Sequence, residues 1–168
     1  MQTNYPKLIV AAILTIYFLW IAYNPLAGSF LDMVDLPIHE TGHFIFMPLG
    51  EFMSFAGGSL FQVIMPAAFV GYFVWKQSYY SAAIVLFWVG QSILNVFVYA
   101  QDAIPMLLPL VGGGVHDWNW MLSRLGWLDY TKSIAGMIRL VGTITIFVAA
   151  ILSIYFAFNS HADEYEEI

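Results

Sequence analysis

His39-Glu40-Thr41-Gly42-His43 is the segment of this 168-residue chain whose residue types and spacing can do chemistry. On a helix, positions i and i+4 share a face, so both imidazoles reach a single tetrahedral ion, usually Zn2+. Glu40 places a carboxylate where it can hold a water in the open coordination position. It then acts as general base while the metal lowers the pKa of that water toward about 7. Ionisable side chains inside an apolar segment are expensive and therefore functional by default.

A third protein ligand is required, and three residues can supply it. His116 follows Gly112-Gly113-Gly114-Val115, a glycine-rich approach that lets backbone fold close to an ion. Asp102 lies at the end of an apolar run over 82–100, seven residues after Asn95. Asp117 reads as the N-cap of a short helix over 118–125, with Gly126 as its stop. The order of preference is His116, then Asp102, then Asp117. Whichever of the first two is not a ligand can hold a ligand imidazole in one tautomer.

These residues must be positioned by membrane helices. The chain is 61% hydrophobic and 10% charged, with a mean hydropathy of +0.77. Soluble domains carry about 25% charged and about 45–50% apolar residues, so a water-soluble globule is excluded. Five Lys and Arg against eleven Asp and Glu, a net charge of −6, leave no basic patch and exclude nucleic acid as a partner. The absence of cysteine removes disulfides, thiolate metal sites and Cys nucleophiles.

Apolar runs over 8–23, 60–75, 82–100 and 140–158 are each long enough for a transmembrane helix. The first is too long and too weakly basic at its start for a signal peptide, and reads as a retained span. Residues 30–53 are apolar on average but carry Asp32, Asp35, His39, Glu40, His43 and Glu51, with Pro37 and Pro48 as breaks. They predict a short helix over 36–46, half-buried or re-entrant, with Pro37 in its first turn. Entry and exit by one face puts 24–59 and 101–139 on the same side, as the candidate ligands require. The expected architecture is one all-α membrane domain over 1–168, with about four transmembrane helices plus the H-E-x-x-H helix. Lys7 and Lys76 on one face, against Arg124, Lys132 and Arg139 on the other, leave its orientation open.

Gln62, Gln91 and Asn95 read as interhelical hydrogen bonding, and Gly57-Gly58 as a turn entering the second span. Trp118, Trp120, Trp127 and Tyr130 suit an aromatic belt at the headgroups. His161, in the acidic tail, has no expected role.

Four motifs in order carry a resemblance. They are Pro37-Ile38-His39-Glu40-Thr41-Gly42-His43, Gly57-Gly58-Ser59-Leu60-Phe61-Gln62, Asn95-Val96-Phe97-Val98-Tyr99-Ala100-Gln101-Asp102-Ala103 and Gly112-Gly113-Gly114-Val115-His116-Asp117-Trp118. Over roughly residues 30–130 the chain resembles a family of small, uncharacterised bacterial membrane proteins, which implies the bacterial inner membrane. More distantly it is similar to the site-2 proteases, intramembrane zinc enzymes whose H-E-x-x-H helix is completed by a later Asp in a Leu-Asp-Gly motif after an Asn. That similarity implies Asp102 as ligand, although Gln101 and Ala103 flank it here and His116 has no counterpart there.

The leading expectation is a zinc-dependent membrane hydrolase, a metallopeptidase cutting at or near the membrane surface, with a peptide or membrane protein as substrate. A metal-bearing accessory subunit without turnover is one alternative, as part of a homo-oligomer or a larger membrane complex. The other is a zinc-dependent lipid or amide hydrolase acting on membrane lipid.

Overall fold

The apolar runs become helices and the polar punctuation ends them, as seen in a computed structural model that describes residues 3–110 and 114–159. Gly112, Gly113, His161 and the acidic tail lie outside the described residues. Helix α1 (Tyr5–Tyr23) starts at Asn4, whose side chain accepts from the Lys7 N–H at 3.1 Å. It is followed by α2 (Asp32–Phe46), α3 (Glu51–Trp75), α4 (Tyr79–Gln101), α5 (Asp117–Leu125) and α6 (Thr131–Phe158). Helices α1, α3, α4 and α6 are long and apolar enough to cross a membrane. No strand occurs among the described residues.

Contacts at the helix ends define the topology. At one end the Asn4 N–H donates to the Ala157 carbonyl at 3.0 Å, and the Tyr80 hydroxyl to the Lys7 carbonyl at 2.7 Å. At the other end Arg139 donates to the Tyr23 carbonyl at 3.3 Å. The four long helices therefore alternate in direction. Phe18, Ile21, Phe87, Leu94, Ile146 and Ala149 form the apolar core where α1, α4 and α6 meet.

Helix α2 is the re-entrant element. After α1 the chain turns back on itself, so that the Ser29 and Tyr17 hydroxyls lie 3.2 Å apart. The helix then begins deep in the bundle, where Asp35 meets Trp88 and Ser92 near the middle of α4. It returns toward the face it left, with His43 against Ser54 in the first turn of α3.

Three local expectations change. Helix α2 starts at Asp32 rather than 36, because the Asp32 carboxylate accepts from the Ser29 N–H at 2.7 Å and closes the turn ahead of it. Pro37 consequently lies inside the helix. Gly57 and Gly58 are helical rather than a turn, because α3 starts at Glu51 and packs its glycine face on α2. A Cβ on Gly57 would sit 2.6 Å from the Gly42 carbonyl oxygen, so only glycine permits this approach. The N-cap of α5 is His116, whose Nδ1 accepts from the Asn119 N–H at 3.3 Å, and Asp117 is the first helical residue. Gly126 ends α5 in the left-handed region as expected.

Candidate metal centre

The i, i+4 spacing on α2 sets the His39 and His43 rings side by side, with centroids 4.8 Å apart. Asp117 Oδ2, brought in by the start of α5, lies 3.0 Å from His39 Nε2 and 3.4 Å from His43 Nε2. Glu40 joins the group, since its carboxylate and the two imidazoles offer ligand atoms within 4.8 Å of one another. His39, Glu40 and His43 can therefore hold a metal ion, and Asp117 lies against both imidazoles.

The ring nitrogens facing away from this point are already committed. His43 Nδ1 lies 2.8 Å from the Ser54 backbone carbonyl, which only accepts, so Nδ1 carries hydrogen. His39 Nδ1 lies 2.7 Å from Gln62 Oε1, with the same consequence. Both Nε2 atoms are thus left to converge on one Asp117 carboxylate oxygen, a contact that either a proton or a metal cation can bridge. The 3.0 and 3.4 Å separations between the imidazole nitrogens and Asp117 Oδ2 are of the size found between neighbouring ligand atoms around one metal ion, about 3.3 Å for bonds of about 2.0–2.1 Å in a tetrahedron.

The electrostatics agree. Burial alone pushes the Asp117 carboxyl up, but hydrogen bonds and charge from His39 and His43 outweigh it and hold the group below the usual carboxylate range. His43 is raised to about 9, chiefly by its hydrogen bond with Asp117, with the Ser54 carbonyl assisting and burial opposing. A proton and a divalent cation stabilise the same cluster, so metal uptake releases protons.

His116 and Asp102, the first two candidates for the third ligand, are brought to each other rather than to this cluster. His116 Nε2 lies 3.4 Å from Asp102 Oδ2, and Asp102 also accepts from the Leu107 and Leu108 N–H groups at 3.0 and 2.9 Å. The His116 ring packs on Tyr99 with centroids 4.3 Å apart, and Tyr99 also meets His39 edge-on at 5.6 Å. These contacts tie the segment between α4 and α5 to the end of α4. The Asp117 N–H donates to the Tyr99 hydroxyl at 3.2 Å, which locates Asp117 over α2.

Two tryptophans of the expected belt also hold α5. Trp118 Nε1 donates to Ser59 Oγ at 3.1 Å, and Trp120 stacks on Phe55 with centroids 4.2 Å apart. Trp127 and Tyr130 remain exposed. Gln62 and Ser54 are site residues that sequence reasoning did not find. Gln62 had a signal, a polar side chain inside a span, but Ser54 contributes a backbone carbonyl and leaves none.

The site opens into a cavity of about 600 Å³ that reaches back along α2 to Asp32. Leu26, Leu36, Leu94, Val98 and Leu110 line it, together with Glu40, His43 and Asp117. Gly58 lies under the His39 ring, where a Cβ would come within 2.5 Å of Nε2. No family model, no curated protein and no solved structure matches this chain.

Proposed function

We propose that this chain is a zinc-dependent membrane hydrolase, with His39, His43 and Asp117 as ligands and Glu40 as the general base. The observation that carries the reading is the convergence of two imidazole Nε2 atoms on one buried carboxylate oxygen, with both Nδ1 atoms committed elsewhere and a second carboxylate alongside. Bound zinc would supply Lewis acidity, polarising the scissile carbonyl and lowering the pKa of a water. Glu40 takes the proton from the attacking water and delivers it to the leaving group, so that one water is consumed and an acid plus an amine or alcohol is released. His39, His43 and Asp117 hold their positions throughout. The apolar residues of the cavity would seat an apolar part of the substrate beside the ligands.

A metallopeptidase acting near the membrane surface is the first form of this reading. The second is an acyl or amide hydrolase, favoured by the depth and apolar lining of the cavity, which suit a lipid chain. The test uses purified protein with its zinc content measured, incubated separately with membrane lipid extract and with hydrophobic peptides. Products that gain one water identify the class. Glu40→Gln should keep the metal and lose about 10²–10⁴-fold in rate. Full activity in Glu40→Gln, or in protein stripped of metal, would overturn the reading.

A further inference from the structure

The geometry points to Asp32 as a positioning residue for the metal centre, acting through an amide relay that sets the tautomer of His39. The inference rests on the metal-centre reading above. Asp32 lies seven residues before His39 on the same helix, and its partners Ser29, Gln91 and Asn95 lie outside the ligand cluster. Its two oxygens accept from three N–H groups: Ser29 N at 2.7 Å, Gln91 Nε2 at 2.6 Å and Asn95 Nδ2 at 3.1 Å.

Direction propagates from there. A carboxylate offers no donor, so the Asn95 amide must turn its nitrogen to Asp32 and its oxygen away. That oxygen accepts from Gln62 Nε2 at 3.0 Å, which turns Gln62 Oε1 toward His39 Nδ1 at 2.7 Å. His39 Nδ1 must then carry hydrogen, and its Nε2 lone pair is aimed at the site. The Ser92 carbonyl, 3.3 Å from the same Gln62 nitrogen, is a second fixed acceptor with the same sense and the longer contact. A buried amide can be turned over with little change in shape, so an acceptor-only anchor is what gives the chain one direction.

Asp32→Asn is the isosteric test. The Ser29 N–H can only donate, so it holds the oxygen of the new amide and leaves the new NH2 facing Gln91 and Asn95. Asn95 must then turn over and present its NH2 to Gln62; Gln62 turns in answer, gives up its longer contact to the Ser92 carbonyl and offers its own NH2 to His39 Nδ1, which drives His39 toward the tautomer with hydrogen on Nε2. Zinc affinity, measured by competition with a chromophoric chelator, should fall about 10–100-fold, the loss typical when an outer partner of a ligand histidine is removed. Adding Gln62→Glu to Asp32→Asn supplies His39 Nδ1 with an acceptor-only partner that also accepts from the turned Asn95. It should recover at least about tenfold of that loss, which a merely structural role for Asp32 would not produce.

The wild-type protein gives an independent readout. With zinc bound, the ring ¹⁵N shifts of His39 should show hydrogen on Nδ1 and metal on Nε2. Metal on Nδ1 overturns the relay even if Asp32→Asn does not fold. Wild-type zinc affinity retained in Asp32→Asn, or no recovery in the double variant, overturns the relay alone. A wild type that takes up no zinc overturns the metal-centre reading and the relay with it.

Discussion

Two helix contacts in this molecule use the same packing device for opposite ends. Between α4 and α6, Gly90 and Gly142 receive Ile146 and Leu94, and the result is dry apolar contact. Between α2 and α3, Gly42 and Gly57 let the backbones touch and Gly58 makes room for the His39 ring. Close approach therefore serves cohesion in one place and the placement of an imidazole in the other. In lipid there is little hydrophobic drive between helices, so small-residue packing and interhelical hydrogen bonds must carry association. The α4–α6 contact relies on the first. The re-entrant α2 needs both, because Asp32, Asp35 and His39 each require a partner before they can be buried.

The comparison breaks most severely at the proposed ligands. Asp117→Ala should weaken zinc binding by more than the about 10–100-fold cost of losing an outer partner. Asp102→Asn should leave one zinc per chain, with the Leu107 and Leu108 N–H groups exchanging faster. Equal zinc loss in the two variants would erase the distinction between these carboxylates.

At Gly58→Ala the new methyl meets the His39 ring, and the expected result is a destabilisation of about 1–3 kcal/mol together with weaker zinc binding. Chemical denaturation in detergent, paired with the chelator assay, reads both. Ile146→Ala should cost about 2 kcal/mol, near the low end for buried Ile to Ala because the unfolded reference remains in an apolar phase. Its zinc affinity should equal that of the wild type, since Ile146 packs with Phe87 and Leu94 in the apolar core. The smallest effect belongs to Gly71→Ala, where nothing lies within 4 Å of the added carbon. A neutral change, or a gain of up to about 1 kcal/mol from helix propensity, would confirm that the tight glycines are special by position.

Much of this was legible in the residues. The i, i+4 histidine pair, the four long apolar helices and the Gly126 stop all follow from interactions a few residues long. A re-entrant α2 was legible too, because a free-standing span carrying Asp32, Asp35, His39, Glu40 and His43 would be too costly. The glycine pair was harder. Read locally, Gly57-Gly58 suits a turn, and only the neighbouring Gly42 and His39 explain why two glycines sit inside a helix.

Sequence by itself determined the helices and the pair of histidines on one face of α2, with Glu40 beside them. Tertiary structure decided which distant carboxylate meets that pair. His116 and Asp102 had stronger claims by residue type and position, yet a cap at His116 and its contacts with Asp102 and Tyr99 turn them away and leave Asp117 facing α2. It also decided that Gln62 and Asn95 lead from His39 back to Asp32. The physical reason is one of range. Helical periodicity records neighbours three and four residues apart, whereas a hydrogen bond between helices depends on the rotation and depth of each, which packing alone sets.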